Sequence, residues 1–151
     1  MKKKYILWTL LVLVLAGAGY GLKEFYRTRP DSKSLEPKFT VEASGILKEF
    51  AGNEAQATQK YNGKDIILAV SGNLKEIKQD EKGYFTLLLG DTADLSSIQC
   101  SMDTVYVKDI STVKAGQAVT IQGYFTGYNA DVTGMLGADV QLNNCVLVSK
   151  K

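Results

Sequence analysis

The chain of 151 residues contains no histidine, which removes the commonest general base and the commonest transition-metal ligand of proteins. Ser-His and Cys-His nucleophile pairs are excluded for the same reason. Only Cys100 and Cys145 carry thiols, and no Cys-x-x-Cys pair exists, which excludes a thioredoxin-type motif and a zinc ribbon. We therefore expect no metal, no cofactor and no catalytic site in this chain.

Positive charge is scarce outside the first thirty residues. Residues 31–151 hold 12 Lys and Arg against 15 Asp and Glu, a net charge of −3, although the whole chain carries +2. Proteins that bind nucleic acid neutralise phosphates with a basic face, and this part of the chain lacks the surplus of cations. The composition argues against nucleic acid as the partner and leaves nucleic-acid binding as an alternative function.

The chain begins with a basic and then apolar segment. Three lysines at positions 2–4 precede Tyr5–Leu22, which is 18 residues long and uncharged. As a helix it would extend about 27 Å, close to a bilayer core of roughly 30 Å. Residues 1–22 are therefore predicted to form a single-pass anchor with the lysines cytoplasmic and the body extracytoplasmic. The alternative is a signal sequence cleaved near Ala18, because Ala16-Gly17-Ala18 fits the small-x-small rule.

The next segments are predicted to be a tether and two short helices. Residues 23–39 are charged and contain both prolines, which is typical of a tether, and the domain is predicted to occupy residues 40–149. Thr40 is the predicted N-cap of a first helix with apolar residues at helical spacing. Asn53, with Gln56 three residues later, predicts a capping box for a second helix that ends at Tyr61.

From Ile66 onward the apolar residues alternate with a period of two, which predicts strands. The five predicted strands are Ile66–Lys78, Tyr84–Leu89, Ser97–Met102, Ala118–Phe125 and Asp139–Val148. Five strands with one connecting segment between the third and the fourth are typical of an OB-type barrel, whereas a β-sandwich needs about seven. The predicted fold class is all-β: a five-stranded OB-type barrel with a short helical N-terminal extension, following a transmembrane or signal helix.

An ordered series of short segments carries a family resemblance. These segments are Phe50 with Asn53-Glu54, Ala57, Lys60–Lys64, Val70–Gly72, Ile98–Cys100, Val113–Gly116 and Gly134–Cys145. Over roughly residues 43–148 the chain resembles the tRNA-anti-like OB-fold family, whose bacterial members are membrane-tethered or lipoprotein-like. The resemblance implies an OB fold and does not imply that the chain binds RNA.

The candidate ligand-binding residues are Tyr84, Gln99, Tyr128 and Asn129. OB domains bind ligands on their second and third strands and on the adjoining loops, which is where these residues fall. An outward Tyr84 together with Tyr128 would make a stacking platform; the alternative is that both are ordinary surface tyrosines.

Cys100 and Cys145 lie on the predicted third and fifth strands, which are neighbours in an OB barrel. Outside the cytoplasm the two thiols could form a disulfide. The alternative is a pair of buried free thiols that act as small apolar core residues.

Together these features predict a membrane-tethered, extracytoplasmic OB-fold module that binds a small ligand or an envelope protein and catalyses nothing. Nucleic-acid binding is the first alternative. The second alternative is a structural partner in an envelope complex, which an exposed apolar patch on the barrel would indicate. An enzyme would need carboxylates such as Asp91 and Asp131 to converge in a cleft.

Overall fold

The computed structural model describes residues 13, 14, 16–22, 32–63, 66–133 and 135–150, in two compact units, Met1–Pro30 and Asp31–Lys151. In the first unit, residues 13, 14 and 16–22 are helical. Among the described residues, no helix has both the length and the hydropathy of a membrane span. The lysines at positions 2–4 lie outside the described residues, as do much of the predicted span and residues 23–31 of the predicted tether.

The described residues of the second unit form six strands and three α-helices. In chain order these are β1 (Phe39–Glu42), α1 (Ala43–Gly52), α2 (Glu54–Tyr61), β2 (Ile67–Gln79), β3 (Phe85–Leu89), β4 (Ser97–Met102), α3 (Val107–Ile110), β5 (Ala118–Asn129) and β6 (Asp139–Lys150). Two 3-10 helices, Ser32–Ser34 and Thr104–Tyr106, precede β1 and α3.

Five of the strands close into a mixed barrel. The order in the sheet is β1-β2-β3-β4-β6-β5, and β2 also pairs with β5, so that the strands from β2 to β6 form a closed ring. The β4–β6 pair is parallel, and the other pairs of the ring are antiparallel. This is the strand arrangement of an OB fold, and it confirms the predicted five-stranded barrel.

The long strand β2 belongs to both sides of the ring. Its residues Ile67–Asn73 pair with β5, and its residues from Leu74 onward pair with β3, with a register shift between Leu74 and Glu76. A bulge of this kind bends and twists the strand, which a closed barrel requires. The alternating apolar residues that predicted the strands point inward and fill the barrel. The buried ones include Leu68, Val70, Leu87, Leu89, Ile98, Cys100, Ile121, Val140 and Leu142.

The predicted start of the first helix is wrong. Thr40 is not an N-cap: it lies in β1, which pairs in parallel with Leu68–Ser71 of β2. Helix α1 begins at Ala43, and Glu42 precedes it without a side-chain cap. Phe39–Glu42 form a strand here because the backbone N–H and C=O groups on this side of β2 would otherwise be unpaired.

Helices α1 and α2 cover one part of the core. Ile46 and Phe50 of α1 and Tyr61 of α2 are buried in the same apolar cluster as the barrel interior. The predicted start of the second helix is confirmed, since the side chain of Asn53 accepts a hydrogen bond from the backbone N–H of Gln56 at 3.0 Å. Gly72 of β2 lets α1 approach closely, because a Cβ there would lie 2.8 Å from that of Ala43.

The residues just before β1 are held on the outside of the barrel. Gln122 of β5 is buried, and its side-chain amide donates to the backbone carbonyls of Ser32, at 2.6 Å, and Leu35, at 2.5 Å. Further along, the N–H of Lys38 donates to the carbonyl of Ile67. Within the second unit, the segment that leads into β1 is therefore fixed by hydrogen bonds to two strands.

Candidate ligand-binding groove

A groove crosses the outer face of β3, β4, β6 and β5. It consists of two adjoining depressions of about 380 Å³ and about 320 Å³, which share Ser101 and Asn143. Each strand contributes a polar side chain: Thr86 from β3, Ser101 from β4, Asn143 from β6 and Thr126 from β5. We call this feature the polar groove and define it by the residues lining the two depressions: Asp80, Tyr84, Phe85, Thr86, Gln99, Ser101, Met102, Asp103, Thr104, Thr126, Gln141, Leu142, Asn143 and Asn144.

One end of the polar groove is formed by the turn between β2 and β3. Tyr84 lies there with 51% of its surface exposed. The carboxylate of Asp80 accepts hydrogen bonds from the backbone N–H groups of Lys82, at 2.9 Å, and Tyr84, at 2.8 Å. Gly83 completes the turn at φ +85°, a left-handed conformation that favours glycine. The backbone of Tyr84 is thus held in place while its ring faces solvent at the groove.

The orientation of Gln99 is set by Asp139. The Asp139 carboxylate accepts one hydrogen bond from the Ser97 hydroxyl and one from the Gln99 amide, each at 2.7 Å. Because a carboxylate only accepts, Gln99 must present its NH₂ group to Asp139. This leaves the Oε1 atom of Gln99 as an acceptor for a molecule in the groove.

A bulge in β6 forms the centre of the groove. Between Leu142 and Cys145 the pairing with β4 shifts by one residue, and Asn144 adopts φ +50°. The backbone N–H of Asn144 donates to the side-chain oxygen of Asn143 at 2.7 Å, so the amide NH₂ of Asn143 remains as a donor. Bulges often redirect side chains beside binding sites, and here the bulge turns two asparagines toward the groove.

The polar groove is neutral to acidic. None of its lining residues is a lysine or an arginine, whereas Asp80 and Asp103 contribute carboxylates. Both carboxylates accept backbone hydrogen bonds, Asp103 from the N–H of Val105 at 3.0 Å. The groove therefore presents amide, hydroxyl and carboxylate groups and the rings of Tyr84 and Phe85, and its lining contains no cation.

The comparisons with known proteins agree with the observed fold. The model of the tRNA_anti-like family matches residues 1–136. The chain belongs to the tRNA_anti-like family. The crystal structure of a proposed nucleic acid-binding lipoprotein from Klebsiella pneumoniae is similar to the chain, with a TM-score of 0.55 at 18% identity over 72% of this chain and 91% of that one. At this identity the likeness shows a common fold.

Two other solved structures share less with the chain. Both are of asparaginyl-tRNA synthetase from Entamoeba histolytica, one of them with asparaginyl-adenylate, and they reach a TM-score of 0.39 at 12% and 11% identity. The chain spans only 22% of each synthetase chain, and these likenesses carry no functional argument. No curated protein matches the chain.

In this tRNA_anti-like domain, two of the four predicted ligand-binding residues line the polar groove: Tyr84 and Gln99. Tyr128 lies elsewhere, with its ring stacked on that of Phe50 at 4.7 Å between centroids, while Phe50 also stacks on Phe125 at 5.3 Å. Tyr84 and Tyr128 are therefore not brought together as a platform. Asn129 is exposed at the end of β5 and does not line the groove.

A bulge explains the position of Tyr128. Phe125 pairs with Leu142 and Gly127 with Gln141, so that one residue of β5, Thr126, is extra. The extra residue changes the alternation, and Tyr128 packs against the core on the same side as Phe125. Burial raises the pKa of the Tyr128 hydroxyl, and the charges of Glu54 and Asp131 raise it further.

The two cysteines lie side by side in the core. Both are buried free thiols on the neighbouring strands β4 and β6. Burial, together with a hydrogen bond and the charge of Cys100, raises the pKa of Cys145. A thiol with a raised pKa is a poor nucleophile, which agrees with a packing role. A disulfide between them stays a prediction.

An apolar surface occurs where the loop between β5 and β6 meets the loop between β3 and β4. Leu95, Val132, Met135 and Leu136 are largely exposed, Val132 at 94%, and we call these four residues the apolar tip. Gly137 lies directly against the backbone of Leu95, which joins the two loops. Asp131 fixes the longer loop by accepting from the N–H groups of Thr133 and Gly137 at 3.1 and 2.9 Å.

Several groove residues were missed by the sequence-based prediction, among them Ser101, Gln141 and Asn143. Alternation in Ser97–Met102 assigns Gln99 and Ser101 to the outer face, so this signal was sufficient for Ser101. The same signal in β6, where Val140 and Leu142 are buried, assigns Gln141 and Asn143 to the outer face, whereas Asn144 lines the groove only because the strand bulges there. Within the described residues, no three His, Cys, Asp or Glu side chains come together as a metal site would require.

Proposed function

We propose that the chain is a membrane-tethered, extracytoplasmic OB-fold module that binds a ligand in the polar groove and catalyses no reaction. The observation that carries the proposal is the row of polar side chains across four strands. Thr86, Ser101 and Gln141 make no side-chain hydrogen bond within the described residues and are available to a ligand. Acceptor and donor groups on Gln99 and Asn143 lie among them.

The tethering part of the proposal rests on the sequence of the first 22 residues. Lysines at positions 2–4 before an uncharged run of 18 residues favour an anchor whose basic end stays in the cytoplasm. The described part of the chain contains no spanning helix, so this support comes from composition alone. The lipoprotein from Klebsiella pneumoniae is a fold relative whose name places it at a membrane, in agreement with this location.

A photo-cross-linking residue in living cells tests both parts. It is placed at Ser101 in the polar groove and, as a matched control, at Ser44 on the exposed face of α1. We expect adducts from Ser101 and none from Ser44, and we expect protease added to spheroplasts to digest the domain. Absence of adducts at Ser101 would contradict a ligand in the groove, and protection of the domain from protease would contradict the location.

A second candidate function, a structural partner of an envelope complex, is favoured by the apolar tip. Exposed apolar patches of this kind commonly mark sites of protein association. The test places the cross-linking residue at Val132 or Met135 and compares Val105, an exposed valine next to α3. The same protein adduct from both tip positions, and none from Val105, would support this role; equal adducts at all three positions would reject it.

A further inference from the structure

The donor and acceptor groups of the polar groove identify a class of ligand. Gln99 offers an acceptor oxygen because its NH₂ group donates to the Asp139 carboxylate. Asn143 offers a donor NH₂ group because its side-chain oxygen accepts from the backbone N–H of Asn144. Ser101 and Thr86 provide hydroxyls that both donate and accept, while the Thr126 hydroxyl, which donates to the Gln141 carbonyl, provides an acceptor. A ligand that satisfies such a mixture must itself both donate and accept, as sugar hydroxyls do. The oxygens of a phosphodiester only accept.

The charge of the groove lining also argues against a phosphodiester ligand. Binding of phosphate groups relies on Lys and Arg, and the groove lining contains neither, while Asp80 and Asp103 would repel an anion. The ligand is therefore expected to be neutral.

Closure of the barrel argues against an extended peptide. Three of the four groove strands are paired on both sides: β3 with β2 and β4, β4 with β3 and β6, and β6 with β4 and β5. A peptide that adds a strand needs a free sheet edge, and these three strands offer none. Recognition must use side chains. OB folds bind oligosaccharides as well as oligonucleotides on this face.

We propose that the polar groove binds a neutral oligosaccharide, with its hydroxyls on the amide and hydroxyl side chains and one sugar ring packed on Tyr84. The apolar C–H face of a pyranose suits the exposed ring of Tyr84, which is held at the groove end by the Asp80 turn. The groove crosses four strands, about 14 Å at the usual strand spacing, so a short oligosaccharide lies along it. The inference rests on the proposed binding function of this groove.

Isothermal titration of the full chain in phospholipid nanodiscs tests the inference. The probes are maltohexaose, cellohexaose and chitohexaose, which are neutral and differ in linkage and substitution. Oligogalacturonate is the anionic counterpart. We expect saturable binding of at least one neutral probe and binding of oligogalacturonate weaker by at least about tenfold, the equivalent of 1.4 kcal/mol.

Variants locate the binding. Gln141→Leu and Ser101→Ala remove side-chain groups that make no hydrogen bond to any other described residue, so the described fold loses none. Gln56→Leu and Ser44→Ala are the same changes at exposed helix positions. We expect each groove variant, and Tyr84→Ala, to weaken binding at least about fivefold, while the helix variants bind as the parent does.

Three outcomes would overturn the inference: no neutral probe binds, oligogalacturonate binds equally well, or the groove variants bind as the parent does. The proposed function would be judged separately by the adducts at Ser101 in cells. Adducts in cells with no binding of neutral probes would retain a ligand-binding groove and reject the oligosaccharide.

Discussion

Gly123 shows how a single position links the core to the polar groove. It lies on β5 where β6 bulges, and the thiol of Cys145 occupies the space a side chain would need. A Cβ at Gly123 would lie 2.6 Å from that sulfur and 3.1 Å from the carbonyl oxygen of Asn143. The absence of a side chain therefore permits the thiol to fill the core and the two asparagines to reach the groove.

Gly123→Ala is expected to destabilise the domain by about 1–3 kcal/mol, because the added methyl group overpacks a full interior. Thermal unfolding of the full chain in detergent measures the change. Gly45→Ala is the matched control: apart from its chain neighbours and the backbone of its own helix, no described atom lies within 4 Å of a Cβ at Gly45, so this variant should be as stable as the parent or slightly more stable.

The methyl group added by Gly123→Ala would contact both the Cys145 sulfur and the Asn143 carbonyl oxygen, and removing the sulfur separates the two effects. In a double-mutant cycle, Cys145→Ala should reduce the cost of Gly123→Ala, with an interaction energy of about 0.5 kcal/mol or more. Strict additivity would show that the Asn143 carbonyl, rather than the thiol, determines the cost of Gly123→Ala.

At the scale of the element, α1 and α2 are joined by a polar cluster over the aromatic core. The Glu49 carboxylate accepts from Lys60 and from the Tyr61 hydroxyl, each at 2.8 Å. The Lys60 ammonium also lies 4.7 Å from the centre of the Tyr61 ring. Hydrogen bonds from Lys60 and Tyr61 hold the pKa of Glu49 below its usual value of 4.5, and the Glu49 carboxylate raises the pKa of Lys60 above 10.5.

The lowered pKa of Glu49 sets the direction in which the stability of the fold depends on pH. A carboxylate with a lowered pKa stabilises the fold above its unfolded pKa, and this contribution is lost as the pH falls through the folded value. Glu49→Gln should therefore lower the unfolding temperature at pH 7 and cost progressively less below about pH 4.5. Because the pair is exposed, we expect a cost of no more than about 1 kcal/mol.

Glu81→Gln is the control for Glu49→Gln, since Glu81 is exposed in a turn and its side chain makes no hydrogen bond in the described part of the chain. Its unfolding temperature should follow that of the parent at every pH. A difference between Glu49→Gln and the parent that stays constant from pH 7 to pH 3 would contradict a contribution from the ionised carboxylate.

Elements with uninterrupted alternation could be predicted from the sequence. The third strand was predicted with its observed bounds, Ser97–Met102, and the other barrel strands to within a few residues of theirs. Asn53 marked the start of α2 because its cap depends only on nearby residues. Local patterns of this kind need no knowledge of distant partners.

Elements defined by pairing could not be predicted. Strand β1 consists of four residues whose place depends on the free side of β2, and local helix signals around Thr40 outweighed it. The bulges at Thr126 and Asn144 each change which face the following residues occupy. Two of the predicted residues, Tyr84 and Gln99, line the groove, whereas the bulge at Thr126 turns Tyr128 toward the core and the bulge at Asn144 turns Asn144 toward the groove.

At the scale of the whole molecule, charge is distributed unevenly along the chain. Residues 1–30 carry six Lys and Arg and one Glu, whereas residues 31–151 are acidic on balance. Within the domain, two of the three lysines of the first hairpin are engaged. The Lys75 ammonium donates to the carbonyls of Asp94 and Ser96, and Lys78 lies 3.5 Å from Glu76. Three carboxylates in the same hairpin, those of Glu76, Asp80 and Glu81, offset most of the positive charge of the lysines at a distance.

From this distribution we predict that the domain binds single-stranded DNA or RNA no more tightly than micromolar at physiological salt, because non-specific binding depends on cations.

Fluorescent oligonucleotides are titrated with the full chain in nanodiscs. A variant with glutamine at positions 2–4 removes the positive charge of the three N-terminal lysines. The second variant carries Lys75→Gln, Lys78→Gln and Lys82→Gln, which removes the lysines of the first hairpin. Sub-micromolar binding that persists in the first variant, falls steeply with salt and is lost in the second would make nucleic-acid binding the better function. It would also contradict the neutral ligand inferred for the groove, because Lys82 lies in the turn that carries Tyr84 and Lys78 pairs with the groove residue Thr86.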